Sequence, residues 1–181
     1  MKNQKKIIGR CPICGGDVVK TMKGYRCVNN LGDTPTCALN IYGIIANRRM
    51  SDDEVALLLQ NGEIMLDGFA NKEWKSFPAV LKINDRGEID LSISVATCPK
   101  CGGEILIGQK AFNCSNYKTE GAPCDFLVWR NIGGHPVSLD EIRQLCANGC
   151  TASAVELYRE DGTISHRQLV LSPDKNQILK V

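Results

Sequence analysis

The sequence predicts a small α+β protein made of two tandem copies of one metal-stabilised unit, each copy closing on a short helix and an antiparallel hairpin or meander. Three observations predict it. Eight of the ten cysteines form two sets of four with one shared spacing. A shift of 87 residues lays the first set on the second and aligns residues well beyond the cysteines. Each copy then runs into a segment that carries both the start and the stop signals of a helix.

The 181 residues fit one ordinary domain or two small ones at about 150 residues per domain, and leave no room for a large enzyme core. Apolar residues at 43% and charged residues at 23% describe a globular chain, away from disordered or fibrous compositions. The apolar runs fall far short of the roughly 20 residues of a membrane span. The N-terminus is basic but lacks an apolar segment of secretory length and a small-residue cleavage site, so the expected location is the reducing cytoplasm. Disulfides do not persist there, and paired cysteines read first as metal ligands.

The expected ligands are Cys11, Cys14, Cys27 and Cys37 in the first copy and Cys98, Cys101, Cys114 and Cys124 in the second, with two, twelve and nine residues between successive members of each set. Four thiolates at this spacing suit tetrahedral zinc, giving two Zn2+ per chain. The repeat extends beyond the ligands: over positions 11 to 62, 16 of 52 residues are identical at the 87-residue shift. Gly15-Gly16 maps to Gly102-Gly103, Asn29 to Asn116 and Tyr42 to Trp129. A thiol-redox centre is the rival reading, but it needs one cysteine pair and gives no reason for duplicated sets of four. Cys146 and Cys150 stand outside the sets, and Cys146 maps to Leu59, so it reads as a small buried hydrophobe. His135 and His166, the only histidines, are not needed as ligands.

Residues 1–10 read as a basic lead, 11–94 as the first repeat and 95–181 as the second. Ser51-x-x-Glu54 and Ser138-x-x-Glu141 are capping boxes, and Asn61-Gly62 and Asn148-Gly149 are stop signals that accept a left-handed residue. Val55, Leu58 and Leu59 match Ile142, Leu145 and Cys146 as one buried helical stripe. Residues 80–83 and 89–93 read as a hairpin about the turn 84–87. In the second copy, strands are expected at 154–158, 165–171 and 177–181, with a turn at 160–163. A ribbon of under about 40 residues buries too little apolar surface to fold alone, so metal supplies much of its folding free energy.

These residues carry a family likeness. The motif Cys98-Pro99-Lys100-Cys101-Gly102-Gly103, then Phe112-Asn113-Cys114-Ser115-Asn116-Tyr117 and Cys124-Asp125-Phe126-Leu127-Val128-Trp129, resembles the C-terminal repeat and zinc-ribbon region of type IA DNA topoisomerases, above all the topoisomerase III-like enzymes. After the first helix, Gly68-Phe69, Lys72, Lys75, Phe77, Ala79 and Leu81 are similar to the Gly-Phe-x-x-Lys-x-Gly-Lys-x-Phe-x-Ala-x-Leu signature of that family. Trp74 stands where the family often has glycine, and the second copy lacks this signature. The acidic toprim cluster and the arch with its nucleophilic tyrosine are absent, so no catalytic residue is expected and the chain is read as a non-enzyme. No P-loop, Gly-x-Gly-x-x-Gly or Ser/His/Asp arrangement offers another chemistry.

The resemblance implies a module that binds DNA, single-stranded by preference, a task that needs aromatic faces for bases and cations along the backbone. The candidates are Tyr25, Tyr42, Phe69, Trp74, Phe112, Tyr117 and Trp129, with Lys20, Lys23, Arg26, Arg48, Arg49, Lys72 and Lys75. For Tyr25, Tyr42, Phe112 and Trp129 the alternative is that they cover the metal site as core. Overall charge does not decide: eight thiolates and two zinc ions bring the formal +2 to −2. Its distribution is uneven, with nine Lys or Arg against two acids in residues 1–50, Lys2, Lys5, Lys6 and Arg10 among them, and four against nine in residues 51–94. That acidic stretch favours the alternative function, an adaptor docking on a protein partner such as RNA polymerase or a topoisomerase core. No membrane or small-molecule partner is expected.

Overall fold

The computed structural model describes residues 6–121, 123–159 and 161–181; Lys2, Lys5 and Glu160 lie outside the described residues. The chain divides into two compact units, Met1–Ser92 and Ile93–Val181. Among the described residues it is mostly sheet, with two α-helices.

In the first unit, β1 (Ile7–Arg10), β2 (Asp17–Thr21), β3 (Gly24–Cys27) and β4 (Asn40–Tyr42) form an antiparallel sheet in chain order. Residues 7–10 of the supposed lead are therefore its first strand, paired through Ile7↔Val19 and Arg10↔Asp17. A two-residue ladder, β5 (Ile44–Ile45) with β6 (Arg48–Arg49), leads into α1 (Asp52–Asn61). Both halves of the α1 capping box form, and Gly62 closes the helix at φ 76°, where a side chain would be strained. The meander β7 (Glu63–Ala70), β8 (Ser76–Ile83) and β9 (Ile89–Ser92) completes the unit. Val55, Leu58 and Leu59 of α1 join Tyr25, Ile41, Phe69 and Leu81 in one buried core. Gly9 gives room where α1 crosses β1: a Cβ there would stand 3.1 Å from Leu59 Cδ1, a tight contact that the leucine would have to relieve.

The second unit repeats the four-stranded sheet with β10 (Ser94–Thr97), β11 (Glu104–Ile107), β12 (Ala111–Cys114) and β13 (Leu127–Trp129). The ladder β14 (Asn131–Ile132) with β15 (His135–Pro136) follows, then α2 (Leu139–Asn148), whose capping box and closing Gly149 at φ 78° match those of α1. After the helix the units part. Instead of a meander there are two hairpins, β16 (Val155–Tyr158) with β17 (Ile164–Arg167) and β18 (Leu169–Leu171) with β19 (Ile178–Lys180). The strand expected at 165–171 is thus broken at Gln168, whose side-chain amide donates to Thr151 O and whose backbone N–H donates to Val181 O.

Two exchanges between the units are concerted. The Gly9 and Leu59 positions become Ala96 and Cys146, a larger residue on the strand and a smaller one on the helix. Cys146 is half-buried, less covered than its place in the helical stripe predicts, and burial pushes its thiol up to about 12. In the first unit Asp52 accepts hydrogen bonds from Lys6 Nζ at 2.8 Å, Lys20 Nζ at 2.7 Å and Tyr25 Oη at 2.9 Å. The four corresponding residues in the second unit, Ile93, Ile107, Phe112 and Leu139, are all apolar, and the last three are buried.

Candidate metal centres and an exposed aromatic groove

Each metal centre is built by two turns of the sheet. After β1, Cys11 N–H donates to Gly16 O and Gly15 N–H to Cys11 O, both at 2.8 Å, folding Cys11 and Cys14 into one tight loop. Cys98 and Gly102 make the same pair of bonds after β10, at 2.6 and 2.9 Å. Cys27 and Cys114 end β3 and β12. Cys37 and Cys124 are returned by their N–H groups donating to the carbonyls of Asn29 and Asn116, at 3.2 and 2.9 Å. The four sulfurs of each set lie within 4.8 Å of one another. The Cys11–Cys37 and Cys14–Cys27 Sγ separations are 3.7 and 3.4 Å, and Cys98–Cys124 and Cys101–Cys114 are 3.8 and 3.3 Å. A tetrahedron with metal–sulfur bonds of about 2.3 Å has edges of about 3.8 Å, so the donor set fits a four-thiolate metal ion.

Asn29 and Asn116 have a second part in the site that sequence reasoning missed. Their side-chain amides donate to Cys14 Sγ and Cys101 Sγ at 3.4 and 3.6 Å, tying the first turn to the second. The only sequence signal for this was their identity at the 87-residue shift. The Gly16 N–H, then Asn29, bring the Cys14 thiol down to about 6, and the Gly103 N–H foremost brings Cys101 to about 7. Burial pushes Cys27 and Cys114 up to about 12, so a metal must displace the protons of these two thiols.

The residues expected to meet nucleic acid divide into three groups. Tyr25, Phe69 and Phe112 are buried and offer no face to a base. Strand register is the reason. Tyr25 pairs with Ile41 and Phe112 with Val128 on the core side of their sheets, while Phe69 lies beside Phe77 beneath the Arg48 guanidinium. Several cations are engaged: Lys20 by Asp52, Arg26 Nε by Asn40 Oδ1 at 3.1 Å, and Arg48 by Glu54 at 2.5 and 3.0 Å. Arg48 also holds the Glu54 carboxyl down to about 2. In the second unit His135 takes the place of Arg48, with Nε2 at 3.0 Å from both Glu141 oxygens.

The third group is outward. Tyr42 and Trp129 are 60% and 57% exposed, at the same strand position of the two units and opposite the small residues Gly24 and Ala111. Tyr42, Lys23 and Arg49 line one groove with Met22 and Ile44, two exposed apolar residues the sequence did not single out. Trp129 lines another with Leu127, Asn131, Gln177 and Lys180. Lys72, Trp74 and Lys75 are exposed apart from these, in the link between β7 and β8. Tyr117 is half-buried beside Cys124, with Lys118 Nζ 5.3 Å above its ring.

Fold and site together define a chain with two zinc-ribbon-like units, each carrying a four-cysteine cluster able to hold a metal ion. The comparisons point further: residues 36–94 match the family model of the C-terminal repeat of topoisomerase. Over 150 residues the chain is 27% identical to DNA topoisomerase 1 of Bacillus anthracis, an alignment covering 78% of this chain and 16% of that relative. The chain thus resembles the C-terminal zinc-ribbon region of a topoisomerase, and it spans a small part of the length of that relative. No solved structure matches the chain. Among the described residues, no helix is long and apolar enough to cross a membrane.

Proposed function

We propose that the chain is a non-catalytic zinc module that binds single-stranded DNA, as a free-standing relative or a piece of a topoisomerase tail. One observation carries the reading. An exposed aromatic occupies the same outward strand position in both units, and in the first it shares a groove with Lys23 and Arg49. Ring and cations are what a single strand requires, a face for a base and charge for its phosphates. Four thiolates per centre favour zinc, which would hold the two turns of each ribbon together.

Fluorescence anisotropy of the zinc-loaded chain with oligo-dT tests the proposal. Salt-sensitive binding is expected, weakened by about 1–3 kcal/mol on Tyr42→Ala or Trp129→Ala, the worth of one stacked base. Lys23→Ala with Arg49→Ala should flatten the salt dependence, each phosphate contact contributing about 0.7 to the slope on a single strand. No salt-sensitive binding at micromolar protein, with two zinc ions confirmed per chain, would refute it. Capture of RNA polymerase or a topoisomerase core that survives nuclease treatment would establish the adaptor reading in its place.

A further inference from the structure

A second place in the first unit is built to present an aromatic ring. Trp74 lies in the link between β7 and β8, 75% exposed. Its φ is 59°, a left-handed conformation that a bulky side chain adopts only at a cost and that glycine would adopt freely. The turn is fixed from within. Asn71 Oδ1 accepts from the N–H groups of Glu73 and Lys75 at 3.0 and 2.9 Å, and Asn71 O accepts from Trp74 N–H at 3.1 Å. It is also fixed from outside, as Asn47 Nδ2 donates to Ala70 O at 3.1 Å. A strained backbone thus holds a large apolar ring in water, two unfavourable features that packing does not explain. Lys72 and Lys75 flank it, and among the described residues neither ammonium has a carboxylate partner, although Glu73 lies between them. The second unit has Asp161 at the corresponding position.

We infer that Trp74, with Lys72 and Lys75, is a second stacking site for one unpaired base and its flanking phosphates, independent of the Tyr42 groove and confined to the first unit. A rigid ring between free cations fits a single strand: the indole loses little freedom on stacking, and the lysines follow the backbone. The assignment rests on the single-strand reading above and names a further contact within it.

The test uses the full zinc-loaded chain and oligo-dT. Trp74→Gly should raise Kd about 5- to 150-fold, the equivalent of one stacked base, while leaving the melting temperature unchanged or higher because the left-handed strain is relieved. Trp74→Tyr should keep most of the affinity. In a Trp129→Tyr chain, residue 74 carries the only indole, and its fluorescence should be quenched by oligo-dT more than by a duplex of the same length. Unchanged affinity in Trp74→Gly, with Tyr42→Ala still weakened, would overturn this site and leave the single-strand reading standing. A preference for duplex would overturn the unpaired-base assignment. Failure of the unaltered chain to bind would overturn both.

Discussion

The exchange of a polar cluster for an apolar one between the two units can be tested by moving the cluster. Tyr25 Oη is held by the Asp52 carboxylate and by Met50 O at 3.2 Å, whereas Phe112 is wholly buried and Leu139 stands where the carboxylate would be. Leu139→Asp removes a buried leucine, worth about 1.5–3 kcal/mol. It also places a carboxylate among apolar positions with no cation, adding about 1–3 kcal/mol. The expected cost to the second unit is therefore about 2.5–6 kcal/mol. Phe112→Tyr alone should cost less, about 1 kcal/mol, since the Val137 carbonyl corresponds to that of Met50. Made together, the two changes reconstitute a hydrogen bond to a charged acceptor, worth about 1.5–3 kcal/mol. The double variant should be that much more stable than the sum of the singles predicts. Urea unfolding of the zinc-loaded chain, followed through Trp129 in a Trp74→Gly background, measures each corner of the cycle. Coupling below about 0.5 kcal/mol, the level of independent sites, would show that residues 87 apart do not occupy equivalent places and would refute the reasoning.

Metal analysis by native mass spectrometry should find two ions per chain, falling to one in Cys27→Ser and in Cys114→Ser. Chelation should unfold both ribbons by circular dichroism, and retention of the sheet signal in the apo chain would contradict a metal-dependent fold. Arg48→Met removes the forked contact with Glu54, the bond from Nε to Asp67 O and the stacking over Phe69. It should lower the stability of the first unit by about 2–3 kcal/mol in urea titrations, and Arg48→Lys should recover little of this, because an ammonium cannot grip both oxygens. Lys20→Ala and Arg26→Ala should leave oligo-dT affinity within about twofold, because those cations already have partners, whereas Lys23→Ala and Arg49→Ala should weaken it measurably. Equal effects from the two pairs would argue against the Tyr42 groove.

The metal sets and helix ends were legible in the sequence because their chemistry is local. Soft ligands at fixed spacing and a Ser-x-x-Glu box with a glycine stop each declare themselves within a few residues. The hairpin of β8 and β9 was legible for the same reason, its turn being signalled by Asn84 and Gly87. What failed was what pairing decides. β1 reads as part of a basic lead because Lys2, Lys5, Lys6 and Arg10 dominate residues 1–10, yet its partner β2 lies beyond the metal loop. β7 was hidden by Asp67-Gly68, where a bulge between Leu66 and Phe69 breaks the alternation on which a strand is recognised. Among the aromatics, residue type said nothing of direction. Tyr25 and Tyr42 lie on neighbouring strands, and only the register, Tyr25 against Ile41 and Tyr42 against Gly24, sends one ring inward and the other out.

That register bears on how function is divided between the copies. Several features are repeated in both units: the metal turns, the Asn29 and Asn116 braces, the capped helix and the inward ring of Tyr25 or Phe112. The surroundings of the two outward rings are not repeated. The Tyr42 groove carries two cations and no amide, while the Trp129 groove carries Asn131, Gln177 and a single lysine, Lys180. Cations without amides suit phosphates of any sequence, whereas amides beside an indole can also bond to the edge of a stacked base. If the single-strand reading holds, base preference should therefore reside in the second unit. Gln177→Ala should narrow any difference between oligo-dA and oligo-dT while Lys23→Ala weakens both alike, and a Gln177→Ala chain that keeps its full preference would place base reading elsewhere.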